Sequence, residues 1–373
     1  VSDESLRKAY KYKLKPTPEQ VRQFEQTLWR CRTLYNTALE QRKVAYERCG
    51  VTLSAYQQQA ELPDLKTALP EYAAIHSQVL QDVLARLDNA FQAFFRRVRA
   101  GEKPGYPRFQ GGNRYHSFTY QQFGHGVRLE NGSLVLSKIG RVALRWSRPL
   151  EGTPKTVTIS QEADGWYAVI SCAAVPAQPL PATGRETGID IGLKVFLITA
   201  NGELVENPRH YRKAEKELVK AQRRVSRRKK GSKRRRKAVG CLQRAHQRVQ
   251  RQRADFHHKT ALALLLLYDT IYLEDLRVAN LARNRHLAKS ISDASWVAFR
   301  SILEAKAAWA GRRVVAVPPA FTSQDCSGCG ERVPTSLSVR THVCTNCGLV
   351  MDRDENAAKN IQRAGQALRG LAA

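Results

Sequence analysis

The sequence has a single methionine, Met351, and its longest unbroken apolar run, Ala261 to Leu267, is far shorter than the roughly 20 residues a membrane-crossing helix needs. A bilayer-spanning helix is therefore excluded, and the run reads as the buried end of a helix. Val1 to Lys15 is polar and basic with no apolar stretch, so no export signal is expected and a reducing cytoplasm is the expected setting. Acids are also scarce: 33 Asp and Glu stand against 62 Lys and Arg, a formal charge of +29. Such an excess repels itself and is tolerated chiefly beside a polyanion, which, with no membrane signature, points to nucleic acid. No internal repeat is evident.

What is present is enough apolar residue, 42% of 373, to bury a substantial core in two or three domains. Leu6 to Leu14 alternates like a strand, and Pro16 to Glu19 carries turn and cap chemistry for a helix over Gln20 to Cys49 that Gly50 ends. A second helical block, Ser77 to Arg99, places Val79, Val83, Leu87, Ala90 and Phe94 on one face. From Gly101 to Pro181 short alternating segments with hairpin signals at Asn131-Gly132 and Asp164-Gly165 predict an antiparallel sheet or small barrel. Pro176 to Gly184 reads as a linker. Beyond it, an apolar segment Thr187 to Ala200, a long basic helical stretch from Tyr211 to Leu267, a strand at Thr270 to Leu273 and a helix from Ser292 to Gly311 predict an α/β layer.

Cys326-x-x-Cys329 and Cys344-x-x-Cys347 are two knuckles, each followed by glycine, which lets the backbone turn so that both thiolates face one tetrahedral ion. Four thiolates close the coordination sphere, so one structural Zn2+ per chain is expected, with a redox dithiol pair as the other reading of the same spacing. Three acids stand where elements end. Asp190 interrupts an apolar strand and points away from Ile189 and Ile191, Glu274 ends a β-type run, and Asp354 lies in the first turn of a helix. Singly, each reads as an ordinary cap or strand-end residue; gathered, they would repel one another unless divalent metal lay between them. Two Mg2+ ions there would serve phosphodiester hydrolysis. Asp352 reads as the cap of the same helix.

The densest basic run is Arg223, Arg224, Arg227, Arg228, Lys229, Lys230, Lys233, Arg234, Arg235, Arg236 and Lys237, broken by Gly231-Ser232 into the two arms of a helical hairpin. A charge run is commonly a solvated face or a localisation signal, but one this dense and almost free of acids suits contact with phosphates.

At these residues the sequence resembles the TnpB family of transposon-encoded RNA-guided DNA endonucleases, relatives of the type V CRISPR effector nucleases. The likeness is carried by GIDIGLK, YLEDL, KSISDASW, FTSQDCSGCG, CTNCG and DRDENAAKNI in order, and in the N-terminal half by GYPRFQ (Gly105 to Gln110) after AFFRRV. It implies an α/β RuvC-type (ribonuclease-H-like) nuclease domain with an inserted zinc ribbon, plus an N-terminal wedge-like β-barrel carrying a helical recognition insertion. The barrel would take residues 1–16 and 101–180, the recognition lobe 17–100, the nuclease domain 185–320 and 351–373 with its basic hairpin at 211–267, and the ribbon 321–350. The catalytic triad would be Asp190, Glu274 and Asp354. The partners implied are a guide RNA from the transposon end and double-stranded target DNA beside a short adjacent motif, with no membrane and no small-molecule substrate. Gln78 and Gln81 are candidate readers of that motif, against the plainer reading of solvated helix positions. The rival functions are a regulator or repressor of transposition that binds without cutting, which the intact acids oppose, and a compact CRISPR effector nuclease.

Overall fold

The computed structural model describes residues 6–112, 114–334, 336 and 339–371. The first five residues, where the expected leaderless opening begins, lie outside the described residues. The chain divides between Pro176 and Ala177 into two compact units.

In the first unit, strand β1 (Lys8–Lys15) is followed by helices α1 (Pro18–Cys49), α2 (Ala55–Ala60), α3 (Leu62–Ala68), α4 (Pro70–Ala73) and α5 (Ser77–Arg99). Strands β2 (Ser117–Tyr120), β3 (Val127–Glu130), β4 (Ser133–Leu136), β5 (Gly140–Arg145), β6 (Thr153–Glu162) and β7 (Gly165–Ala173) complete it. Helix α1 starts at a capping box in which Thr17 and Gln20 each accept the other's backbone N–H, and it stops at Gly50, whose φ of 65° a side chain would resist. The seven strands form one antiparallel sheet in the order β2-β6-β7-β1-β5-β4-β3. Alternation along β1 buries Tyr10, Tyr12 and Leu14 in one core with Phe24 and Leu28 of α1 and Leu80, Val83 and Leu87 of α5. The antiparallel sheet or small barrel expected here is this ladder, with β2 and β3 at its two ends among the described residues. No ladder joins β2 to β3 among the described residues, because the segment between them turns instead, Phe123 N–H bonding the Lys155 carbonyl and Gly124 N–H that of Val127.

The second unit contains β8 (Glu186–Ile191), β9 (Val195–Thr199), β10 (Leu204–Glu206), α6 (His210–Ser226), α7 (Lys233–Leu267), β11 (Thr270–Glu274), α8 (Val278–Leu281), α9 (Ala288–Ala294), α10 (Trp296–Trp309) and β12 (Arg313–Val317). It ends with β13 (Thr341–Val343), β14 (Val350–Asp352) and α11 (Arg353–Leu371). Five strands make a mixed sheet in the order β10-β9-β8-β11-β12, with β8, β11 and β12 parallel and the β8-β9 and β9-β10 pairs antiparallel. One face packs Ile189, Ile271 and Leu273 against Leu264 of α7 and Phe299 and Leu303 of α10. The other packs Tyr272 and Val317 against Ile361 of α11. The helix expected over Ser292 to Gly311 is broken at Ser295, whose φ of 54° separates α9 from α10. No helix among the described residues is long and apolar enough to cross a membrane.

Helix α11 meets the sheet at two glycines. A Cβ on Gly188 of β8 would lie 2.1 Å from the Ala358 carbonyl oxygen, and one on Gly365 of α11 would lie 1.9 Å from the Tyr272 ring. Both contacts are with groups that cannot swing aside cheaply. Gly188→Ala is therefore expected to destabilise the second unit by about 1–3 kcal/mol, as overpacked cores do, read as a lowered denaturant midpoint; an unchanged midpoint would show that α11 can lift off β8 freely.

Candidate functional site

Strands β8 and β11 run parallel with Leu273 opposite Ile189, so the next residues, Glu274 and Asp190, stand at matching positions on neighbouring strands about 4.8 Å apart. Both lie at carboxyl ends of parallel strands, where α/β sheets present their ligand sites. Because side chains alternate, Asp190 shares the face of Gly188, and Glu274 shares that of Tyr272, the face α11 covers. Asp354 lies in the first turn of α11, one turn before the Ala358 that touches Gly188. Asp352 caps this helix, its carboxylate accepting the N–H of Asp354 at 2.8 Å and of Glu355 at 3.3 Å.

Burial and neighbouring charge act on these acids unequally. Desolvation, then the charges of Glu274 and Asp354, push Asp190 up to about 8, partly offset by Arg353. Glu274 is also raised by burial, against a hydrogen bond from the Thr322 hydroxyl. Asp354 has cationic company: Arg340 Nη1 lies 3.2 Å from both of its carboxylate oxygens, and Arg353 Nη2 lies 3.6 Å from one. Among the described residues, the acids do not reach the mutual 4.8 Å spacing that the cysteines show. Asp354 is turned to Arg340 instead.

The four cysteines do meet. Their ligand atoms lie within 4.8 Å of one another, with Sγ–Sγ distances of 3.6 Å for Cys326–Cys347 and 3.6 Å for Cys329–Cys344. A tetrahedron with metal–sulfur bonds of about 2.3 Å has edges of about 3.8 Å, so the quartet fits a four-thiolate metal site. The Glu331 backbone N–H and the Asn346 amide lower Cys329, toward the thiolate that ligation needs, while Cys347, against a hydrogen bond from the Leu349 backbone, is raised by its hydrogen bonds to Cys329 and Cys326. Two asparagines of α11 tie this ribbon to the acids. Asn356 accepts the Ser327 N–H at 2.8 Å and donates to the Asp325 carbonyl at 2.8 Å, while Asn360 donates to the Thr322 carbonyl at 2.9 Å.

A family model described as "Probable transposase" (OrfB_IS605) matches residues 161–285, and one described as "Cas12f1-like, TNB domain" matches residues 296–361. A third, "Helix-turn-helix domain" (HTH_OrfB_IS605), matches residues 6–50, which here fold as β1 and the single helix α1. A Streptomyces pristinaespiralis protein named "Putative RNA-guided DNA endonuclease" is 38% identical over 98% of this chain and 90% of its own length. An Escherichia coli K12 protein, "Putative RNA-guided DNA endonuclease InsQ", is 30% identical over 96% and 92%. The chain belongs to the OrfB/TnpB family. Among solved structures, that of "the mini-RNA-guided endonuclease CRISPR-Cas_phi3" aligns over 97% of this chain and 92% of its own, at 10% identity and a TM-score of 0.49.

In this TnpB-family chain the basic run forms the tip of the α6–α7 hairpin, with Ser232 capping α7 through the Arg235 N–H. Arg223, Arg224, Arg227, Lys229, Lys230, Lys233, Arg234, Arg236 and Lys237 are exposed and Arg228 is half-buried. Arg235 is used differently: its Nη1 donates to the Val225 and Arg228 carbonyls at 2.9 and 3.1 Å, closing the end of α6. Gln78 and Gln81 are both half-buried, the Gln78 amide donating to Gln122 at 2.9 Å. Sequence reasoning passed over Arg340, Arg353 and Thr322, which touch the acids. It also gave no role to Asn356 and Asn360, whose four-residue spacing within DRDENAAKNI places them on one helix face.

Asp190 links the site to pH. Without divalent metal at the acids its folded value, about 8, lies above the unfolded one, so the folded state keeps a proton that the unfolded state has lost. Stability therefore falls as pH rises from about 4 to about 8. In buffer without added divalent cations, Asp190→Asn should match the wild-type melting temperature near the bottom of that window and exceed it at the top. A variant no more stable than wild type at pH 8 would remove the electrostatic account.

Proposed function

We propose that this chain is an RNA-guided, metal-dependent DNA endonuclease that hydrolyses phosphodiester bonds in DNA matched by a bound guide RNA, next to a short adjacent motif. The observation that carries the chemistry is the meeting of Asp190 and Glu274, at the ends of adjacent parallel strands, with Asp354 on the helix laid across them. RNA guidance and DNA as substrate are supported by the names of relatives at 38% and 30% identity over nearly the whole chain. The guide would come from the transposon end, and the setting would be the cytoplasm with its nucleoid DNA.

The sheet order β10-β9-β8-β11-β12, with three antiparallel strands followed by two parallel ones, supports a RuvC-type, ribonuclease-H-like nuclease domain at 185–320 and 351–373. The ribbon at 321–350 would hold one structural Zn2+ on Cys326, Cys329, Cys344 and Cys347. The sheet strands of the first unit would be the wedge-like barrel and α1–α5 the recognition lobe, with Gln78 and Gln81 as candidate motif readers. The exposed arginines and lysines of the α6–α7 hairpin would hold nucleic-acid backbone.

Asp190, Glu274 and Asp354 would hold divalent metal, two Mg2+ ions in this reading, which would supply activation of the attacking water and stabilisation of the leaving oxygen. The residues do the remaining work. Asp190, raised by burial and then by the charges of Glu274 and Asp354, and Glu274, raised by burial, would each have to release any proton to serve as ligands of a cation. Thr322 orients Glu274 through its hydroxyl. Arg340 holds the Asp354 carboxylate, whose oxygens would otherwise be free to ligate the metal. The Asn356 and Asn360 bonds keep the ribbon seated against α11, so that the first turn bearing Asp354 does not drift.

The test supplies the purified chain with Mg2+, RNAs differing only in their guide segment, and matched or mismatched DNA. Cutting should follow the guide, and Asp190→Ala, Glu274→Ala or Asp354→Ala should each lower it by at least about a hundredfold while nucleic-acid binding stays near wild type. Cutting at one fixed site whatever the RNA would make the chain a conventional nuclease, and binding without any cutting would make it a regulator.

Metal analysis of the purified chain should find one tightly held zinc, lost together with stability of the second unit in Cys326→Ser. Near-zero zinc with four titratable thiols would reject the ribbon as a metal site.

A further inference from the structure

Helix α5 outruns its core. Its buried residues, Val79, Leu80, Val83, Leu84 and Leu87, end at Leu87, yet the helix continues to Arg99 with Phe91, Phe94, Phe95 and Val98 at helical spacing and none of them buried. The segment after it folds back onto this stripe. The Tyr106 ring stands edge-on to Phe91 at 5.6 Å and to Phe94 at 5.4 Å, and Phe94 packs on Phe95 at 5.2 Å. The base of the cluster is braced. Arg42 lies over the Phe91 ring while paired with Asp88 at 3.0 Å, and Asn36 exchanges two hydrogen bonds with the Gln110 backbone at 2.7 and 3.1 Å. The rim is open: Phe95 is 47% exposed, Tyr106 46% and Phe109 50%.

These ring faces stand among cations. Arg96, Arg97, Arg99, Lys103 and Arg108 are exposed, and Glu102 is the one acid between Arg96 and Gln110. Apolar rings held half-open cost free energy unless something flat covers them, and the cations decide what that is. A second copy of a chain at +29 would bring like charges face to face. A polyanion with aromatic faces of its own satisfies both halves of the patch. Bases in duplex DNA are already stacked on each other, whereas folded RNA displays unpaired bases in loops and ends that stack on aromatic side chains and arginine planes.

We propose that Phe95, Tyr106 and Phe109, with Arg96, Arg99 and Arg108 around them, form a stacking platform for unpaired bases of the bound RNA. This rests on the reading that the chain carries RNA, but not on its cutting DNA. The platform adds a base-dependent contact, tolerant of sequence, to the charge-dependent grip of the α6–α7 hairpin.

The experiment uses the full chain and four probes: an adenosine oligoribonucleotide of about twelve nucleotides, an abasic oligomer of equal length and charge, an RNA duplex, and the matching oligodeoxynucleotide. Phe95→Ala and Tyr106→Ala should each weaken binding of the single-stranded RNA by about fivefold or more and leave the abasic oligomer and the duplex nearly unaffected. Tyr106→Trp should retain binding. Single-stranded RNA carrying 4-thiouridine should crosslink at the platform in the wild-type chain, a readout that does not depend on how a variant folds. Unchanged affinity with no crosslink at these residues overturns the proposal, as does an equal loss on the abasic probe, which would leave charge alone. A loss confined to the deoxy strand would reassign the platform to DNA, and a dimer dispersed by Phe95→Ala would reassign it to a second copy. Absence of guided cutting with the crosslink intact would sink the nuclease reading and leave the platform standing.

Discussion

The second unit depends on how closely α11 can approach β8. At Gly188 there is no room for even a methyl group, since a Cβ would sit 2.1 Å from a helix carbonyl. That contact sets where α11 crosses the sheet, and therefore where its first turn lies relative to the strand ends. Asp190 is two residues beyond Gly188 on β8, and Asp354 one helical turn before Ala358 on α11. A helix held at the ordinary distance of about 10 Å, as between layers packed through larger side chains, would carry Asp354 away from Asp190 and Glu274. Gly365 against Tyr272 makes the same demand further along the helix.

Such proximity is unfavourable in itself. Burial raises Asp190 and Glu274 toward their protonated forms, the charges of Glu274 and Asp354 raise Asp190 further, and Arg340 and Arg353 stand on Asp354. Arg340 comes from the ribbon segment between the cysteine pairs, and Asn356 and Asn360 fasten the ribbon's first knuckle to α11. The thiolate quartet and the carboxylate group, chemically separate because one suits a soft ion and the other a hard one, are mechanically one assembly. Loss of metal at the cysteines would loosen the arginine and the helix that position the third acid.

Charge in this chain is not spread evenly, and its company differs from place to place. On the α6–α7 hairpin tip it stands nearly alone, which suits a phosphate backbone whatever its sequence. At the end of α5 it is interleaved with half-open aromatic rings, which suits bases as well as phosphates.

The sequence by itself determined what depends on local pattern. Thr17 and Gly50 bound the first helix, Asn131-Gly132 and Asp164-Gly165 close hairpins, Ser232 restarts the basic hairpin, and two CxxC knuckles gather four thiolates. Each rests on residues a few positions apart, where backbone preference and spacing suffice. It also singled out Asp190, Glu274 and Asp354, because an acid at the end of an apolar segment stands out against its neighbours. Only the tertiary structure decided what depends on partners distant in the chain. The register of β11 against β8 sets Glu274 beside Asp190, and Arg340 reaches Asp354. Arg235 turns inward onto carbonyls while the residues around it face solvent, and α5 has no buried residue beyond Leu87, with Phe91 only partly covered against the core, although its periodicity runs on to Phe94. Periodicity reports which side of a helix is apolar. Whether anything lies against that side is settled by where the rest of the chain goes, and that is a property of packing.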